Sequence, residues 1–211
     1  MKKSKIIIAS VVLLLVFAVG GAIAYFTDTE TKTNTFTIGN VDITLTESLW
    51  NTTDSNNNDV PDAAENITPG QAIPKNPTIT NNSTSNAAYV FIKVEMPCTT
   101  ATSPATPVEI FSYAPNAGWT ELTTATLPVA CTSGGTATHV YYYGTGGNLT
   151  SLAAGNSTLT ALFSSISLSN SVTGAASEGL TGKKNVVVTG YGIQTQGLAS
   201  TTPADVWANF S

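Results

Sequence analysis

Tyr89, Val90, Phe91, Ile92, Lys93, Val94, Glu95 and Met96 form the stretch on which the reading of this chain turns. Val90, Ile92, Val94 and Met96 fall on one side of a period of two and Tyr89, Phe91, Lys93 and Glu95 on the other, so the segment reads as a central strand with its first face on a core. Pro97 stops it, because proline has no N–H to give a ladder. The same alternation appears upstream, where Val41, Ile43 and Leu45 are separated by Asp42, Thr44 and Thr46. Another extended segment is expected at 77–80, and three more at 140–143, 159–168 and 185–196, between Gly-rich or Ser/Asn-rich turns at 144–147 and 170–174. Residues 98–138, rich in Thr, Pro, Ala and Gly, read as short strands and loops around Phe111, Tyr113 and Trp119.

The end of the chain departs from this pattern. Thr202 is placed to cap a short helix, with Pro203 in its first position and Asp205 in its first turn, and that helix would dock Trp207 and Phe210. Many short strands with no repeated β-α alternation imply an all-β fold, an antiparallel two-sheet sandwich of jelly-roll type with a short C-terminal helix, as one domain over 41–211.

The chain has 211 residues, 42% of them hydrophobic and 10% charged, enough for a real core. All 8 basic residues are lysines, set against 13 Asp and Glu. Loss of Lys2, Lys3 and Lys5 with the leader described next would make the balance more acidic still, so no nucleic-acid partner is expected. There is one histidine, His139, in an apolar run with Val140, Tyr141, Tyr142 and Tyr143. A zinc hydrolase usually needs two or three imidazoles, so His139 reads as a strand residue, no catalytic residue is assigned and no enzymatic activity is expected.

Residues 1–24 read as an export signal. Lys2, Lys3 and Lys5 precede an apolar run over 6–21, and Ala22, Ile23 and Ala24 give an A-x-A pattern with cleavage before Tyr25. The alternative is an uncleaved anchor, since the apolar stretch is just long enough to span a bilayer. With cleavage, the membrane is met only through the leader and the mature protein is secreted, in the extracellular matrix or at the cell surface. Export also puts Cys98 and Cys131 where a disulfide persists, and an even count without C-x-x-C spacing favours a structural bridge over two free buried thiols.

The mature chain would open with a segment, 25–40, of unusual regularity. Thr27, Thr29, Thr31, Thr33, Thr35 and Thr37 occupy every odd position, a strand's period. Only Phe26, Phe36 and Ile38 add apolar weight, so this strand lacks a strong hydrophobic face of its own. Either it folds back as an edge strand of its own domain, or it adds to the sheet of another molecule.

The stretch 51–70 is a polar, acidic loop. Residues 54–65 follow the calcium-loop pattern D-x-[DN]-x-[DN]-G-x5-E at all but one position, placing Asp54, Asn56, Asn58, Asp62 and Glu65 as oxygen ligands with the Val60 carbonyl. Asp59 stands where the pattern has Gly. Calcium is thus the one cofactor the residues suggest, beside the plainer alternative of a solvated acidic loop. Asn-x-Ser/Thr sites at Asn51, Asn66, Asn81, Asn82, Asn148 and Asn156 would be exposed acceptors if exported chains are glycosylated in the source, and such motifs are common by chance in so Asn-, Ser- and Thr-rich a chain.

Three stretches together resemble the TasA/camelysin family of exported proteins. They are the opening from Gly20 through Ala24, Phe26 and Asp28 to Phe36, Gly39, Asp42 and Ile43; the run Ile67, Thr68, Pro69, Gly70 followed by 77–81 and 88–93; and the ending at 190–197 with Ala204, Asp205, Val206 and Trp207. The resemblance implies a jelly-roll sandwich, processing by a SipW-type signal peptidase, and a structural role as a subunit of extracellular biofilm-matrix fibres. It also implies that the N-terminal segment, with Phe26 and Phe36 as seated side chains, adds as a donor strand to the next subunit, a head-to-tail homopolymer of the chain with itself. Two rival readings remain at this point: a monomeric secreted adhesion or binding module, and a camelysin-type metallopeptidase.

Overall fold

In chain order the strands are β1 (Ile43–Thr46), β2 (Ala72–Pro74), β3 (Thr78–Asn81), β4 (Ala88–Pro97), β5 (Phe111–Ser112), β6 (Trp119–Glu121), β7 (Thr136–Thr145), β8 (Asn148–Leu149), β9 (Ser157–Thr158), β10 (Ser165–Leu168) and β11 (Val187–Gln194), followed by one helix, α1 (Pro203–Trp207). They come from a computed structural model that describes residues 41–100, 106–172 and 184–210, all within a unit spanning Gly39–Ser211. The expected leader, Ala22, Ala24 and Tyr25, and the expected donor residues Phe26, Thr27, Thr29, Thr31, Thr33, Thr35 and Phe36 lie outside the described residues.

β4 is the centre of the larger sheet. On one edge it pairs antiparallel with β11, Val187 opposite Glu95 through Gln194 opposite Ala88, and on the other with β7, Phe91 opposite Tyr142 through Pro97 opposite Thr136. β6 adds to β7, giving the order β11-β4-β7-β6, and β8 folds back on the end of β7. Val90, Ile92, Val94 and Met96 are fully buried, as the alternation requires.

Two small antiparallel sheets face it, β1-β3-β9 and β2-β10-β5. Bonds from Lys75 N–H to the Ser164 carbonyl, Leu162 N–H to Pro77 and Leu159 N–H to Ile79 run between them, so 72–81 and 157–168 track each other as one layer. The core between the layers takes Ile73 and Ile79 from one side, Val94 and Met96 from the other, with Phe163 and Ile166. The result is an all-β antiparallel sandwich. The sequence expectation of one strand over 159–168 is corrected: only Ser165–Leu168 is strand there, because Leu162 and Phe163 leave the ladder to fill the core.

The layers approach most closely where β11 carries glycine. A Cβ on Gly192 would lie 2.9 Å from Ile43 Cγ2 and 3.2 Å from Val41 Cγ1, and one on Gly190 would lie 3.4 Å from Ile79. The Gly192 position is too close to Ile43 for a side chain without a shift, and that absence of a side chain lets β1 press its apolar face onto β11.

The helix closes the other face of the large sheet. The Thr202 side chain accepts from the Asp205 N–H at 3.3 Å, and Pro203 occupies the first turn, as expected. Trp207 and Phe210 pack on Phe91, with ring centroids 5.5 and 5.9 Å away, and on Tyr191. Phe91 is therefore fully buried, and β4 has a core on both faces over this part of its length.

Candidate functional site

The bridge expected from cysteine spacing is present: Cys98 and Cys131 are bonded, with Cα atoms 5.7 Å apart and 33 residues between them in sequence. It ties the end of β4 to the segment after β6, and so encloses β5 and β6 in a covalent loop.

Around that loop lies a cluster that sequence reasoning did not assemble. His139 on β7 sits between two carboxylates, its Nδ1 2.6 Å from Glu121 on β6 and its Nε2 2.9 Å from Glu109. Tyr113 and Tyr141 stand beside it, their hydroxyls 3.2 Å apart. Burial alone would lower the pKa of His139, but hydrogen bonds to Glu121 and Glu109, with their charge, outweigh it and hold the imidazole above its ordinary value. Burial is also the main reason why Tyr113 is pushed well up and Tyr141 up to about 12. The arrangement sets both ring nitrogens of His139 against glutamates, Glu121 on the neighbouring strand of the same sheet and Glu109 on the segment before β5. Glu109 and Glu121 stand 30 and 18 residues from His139, so only the topology brings them together.

The acidic loop is built as a self-bonded turn. Asp54 accepts the N–H groups of Asn58 and Asp59, and Asp59 takes the left-handed conformation, φ 59°, that the sequence pattern reserves for glycine. Asn56 and Asn58 both donate their side-chain amides to Glu65 Oε1. Both oxygens of Asp62 accept from Ser55, which lowers its pKa. Hydrogen bonds thus link Asp54, Asn56, Asn58 and Glu65 to one another, Asp62 is tied to Ser55 between them in sequence, and Val60 N–H donates to Asn58 Oδ1. The expected exposure of the Asn-x-Ser/Thr sites is corrected at Asn81, which is fully buried and gives its amide to the carbonyls of Asn86, Leu152 and Ala153.

This loop forms one lip of a cleft of about 920 Å³. Its walls include Trp50, Ile67, Ile73, Ile166, Leu168 and Val186. Lys75, 7% exposed, lies there with its Nζ 2.6 Å from Glu47 and 4.7 Å over the Trp50 ring, so the ammonium enters the wall already paired. The cleft opens where the chain of β1 leaves the edge of β2, beside the N-terminal end of β11. Among the described residues β11 pairs only with β4, and β2 only with β10, so each has one edge without a strand.

A family model described as camelysin metallo-endopeptidase matches residues 1–106, half of the chain. That span holds the expected leader and opening segment, the acidic loop and β1–β4. No curated protein and no solved structure matches the chain. The metal in that family description does not fit the donors the described residues offer: no three His, Cys, Asp or Glu side chains are grouped to hold an ion, and both ring nitrogens of His139 face carboxylates on opposite sides. With the opening, the Ile67–Gly70 run and the β4 strand inside the matched span, the chain belongs to the TasA/camelysin family.

Proposed function

We propose that this protein is a secreted structural subunit of extracellular matrix fibres, and that it polymerises by lending its N-terminal strand to the next copy. One observation carries the reading. Among the described residues β11 pairs only with β4, which leaves one edge of the large sheet without a strand. The alternating threonines of 27–37 read in the sequence as a strand without a hydrophobic face of its own. Such a strand gains most by hydrogen bonding to a sheet edge. Donation head to tail does not close on itself, so it builds a filament.

In this reading the leader 1–24 is removed before Tyr25 by a SipW-type signal peptidase, which frees the strand. No peptidase activity is assigned.

The test is electron microscopy of the purified chain starting at Tyr25 beside one lacking residues 25–34, each with calcium and with chelator. Filaments from the first alone support strand donation. Two monomeric samples under all conditions favour the adhesion or binding module instead, and peptide hydrolysis lost on His139→Gln would favour the peptidase.

A further inference from the structure

We propose that Glu109, His139 and Glu121 form a proton-operated clamp: with His139 charged they hold the segment before β5 onto β7, and loss of the proton releases Glu109 and opens this end of the sandwich. The device does not depend on how copies of the chain assemble.

The clamp stands on the core side of the large sheet. His139 lies directly opposite Val94 of β4, and Glu121 directly opposite Tyr141 of β7, so their side chains share the face that carries Val94 and Ile92. Glu109 comes from outside that sheet. It is bridged to Cys98 just past β4, and two residues further on Phe111 pairs with Leu168 in the facing layer. One imidazole therefore joins two parts of the chain, with Nδ1 2.6 Å from Glu121 and Nε2 2.9 Å from Glu109. The other titratable groups facing it are Tyr113, which follows β5, and Tyr141 on β7. β4 offers Val94 on this face, while Lys93 and Glu95 point to the opposite one. Among the described residues His139 is the cation paired with either glutamate.

A neutral imidazole has one N–H to give. The shorter contact keeps it on Nδ1, and the Nε2 lone pair then faces a carboxylate oxygen, two acceptors at hydrogen-bond distance. One glutamate must leave. Glu121 is held by the ladder between β6 and β7, whereas Glu109 sits on an isolated bridge with its side chain 34% exposed. Ile110 limits the movement: it is 1% exposed, its N–H donates to the Pro97 carbonyl and its own carbonyl accepts from Ser169 N–H. What can lift is Val108 with Glu109. The bonds that open are Thr99 N–H to the Val108 carbonyl, 2.9 Å, and Val108 N–H to Thr99 Oγ1, 3.0 Å. Against burial, which lowers it, the bonds to Glu121 and Glu109 keep the His139 pKa above its ordinary value, so the clamp is closed in acid and opens as pH rises through that raised value.

The test is pulsed amide hydrogen exchange, read by mass spectrometry at pH 5 and pH 9 on the unassembled chain starting at Tyr25, with rates divided by those of an unstructured peptide at the same pH. Protection of Thr99 and Val108 should fall about tenfold from the lower to the higher pH, the scale of one hydrogen bond to a charged group. Amides of β4 and β7 should hold theirs. Glu109→Gln should keep Thr99 and Val108 protected at pH 9, because its amide N–H donates to the neutral Nε2 where a carboxylate cannot. Glu109→Ala should leave both unprotected at either pH. Nitrogen-15 NMR of the one imidazole at pH 9 should find the proton on Nδ1. Equal protection at both pH values, or a Glu109→Gln chain that opens as the parent does, overturns the clamp. Loss of protection through β4 and β7 as well means global unfolding and overturns a local device. A proton found on Nε2 overturns Glu109 as the arm that is released.

Discussion

Opening the Cys98–Cys131 bridge isolates one contribution that the structure allows to be worked out. The bond closes a loop 33 residues apart in sequence, and the chain-entropy relation gives about 3.7 kcal/mol for a loop of that length at 25 °C. For a domain of this size each kcal/mol is about 2–4 °C in melting temperature, so losing the bridge should lower it by about 7–15 °C. Two forms separate the entropic part from lost packing. Reduced protein keeps both sulfur atoms, and Cys98 is buried among core residues, whereas Cys98→Ala with Cys131→Ala removes them. Thermal melts by near-ultraviolet circular dichroism should put the reduced protein most of the way to the double alanine variant. The folded spectra of all three should agree, since β4, β6 and β7 pair through their own ladders. A reduced protein that melts within 2 °C of the oxidised one would refute the reasoning. So would a reduced protein without a folded spectrum, which would mean that the bond holds the native packing together.

The His139 cluster should make stability depend on pH. Because folding raises its pKa, the stabilisation is complete below the unfolded value of about 6.5 and is lost as pH rises through the raised folded value; urea melts between pH 5 and 9 should show this fall, about 1 kcal/mol for partly exposed pairs, and His139→Gln should abolish it. Asn81→Leu removes four hydrogen bonds from a fully buried amide and should cost about 3 kcal/mol in urea unfolding. Gly192→Ala puts a methyl 2.9 Å from Ile43 Cγ2 and should cost about 1–3 kcal/mol, read as a lower melting temperature with an unchanged far-ultraviolet spectrum. Thr202→Ala removes the cap of α1, a loss of about 1 kcal/mol that should be accompanied by a red shift in Trp207 fluorescence.

The parts of this fold that were legible in the sequence are those whose signal is local. β4 could be read because its core residues recur every second position, and α1 because cap, proline and acid lie within four residues of one another. The left-handed turn at Asp59 also followed from its position in a loop pattern. What could not be read depends on distant pairing. Phe91 falls with Lys93 and Glu95 on the face opposite Val90, Ile92, Val94 and Met96, and it is buried because a helix more than a hundred residues later covers that face. Asn81 looked like one more Asn-x-Ser site, yet its environment is made by carbonyls 71 and 72 residues away. The partners of His139 and the walls of the cleft are of the same kind, brought together by strand order rather than by spacing.

The orientation of β1 has a mechanical meaning. If one copy is held by a neighbour and pulled through its own leading segment, force enters the described residues at Val41 and acts along β1. The hydrogen bonds between β1 and β3 lie across that line, and the four pairs from Ile43 opposite Asn81 to Thr46 opposite Thr78 are loaded together in shear. Peeling would break them one after another; shear requires them to fail at once. A chain of such copies would resist stretching through strands that all carry load along their length.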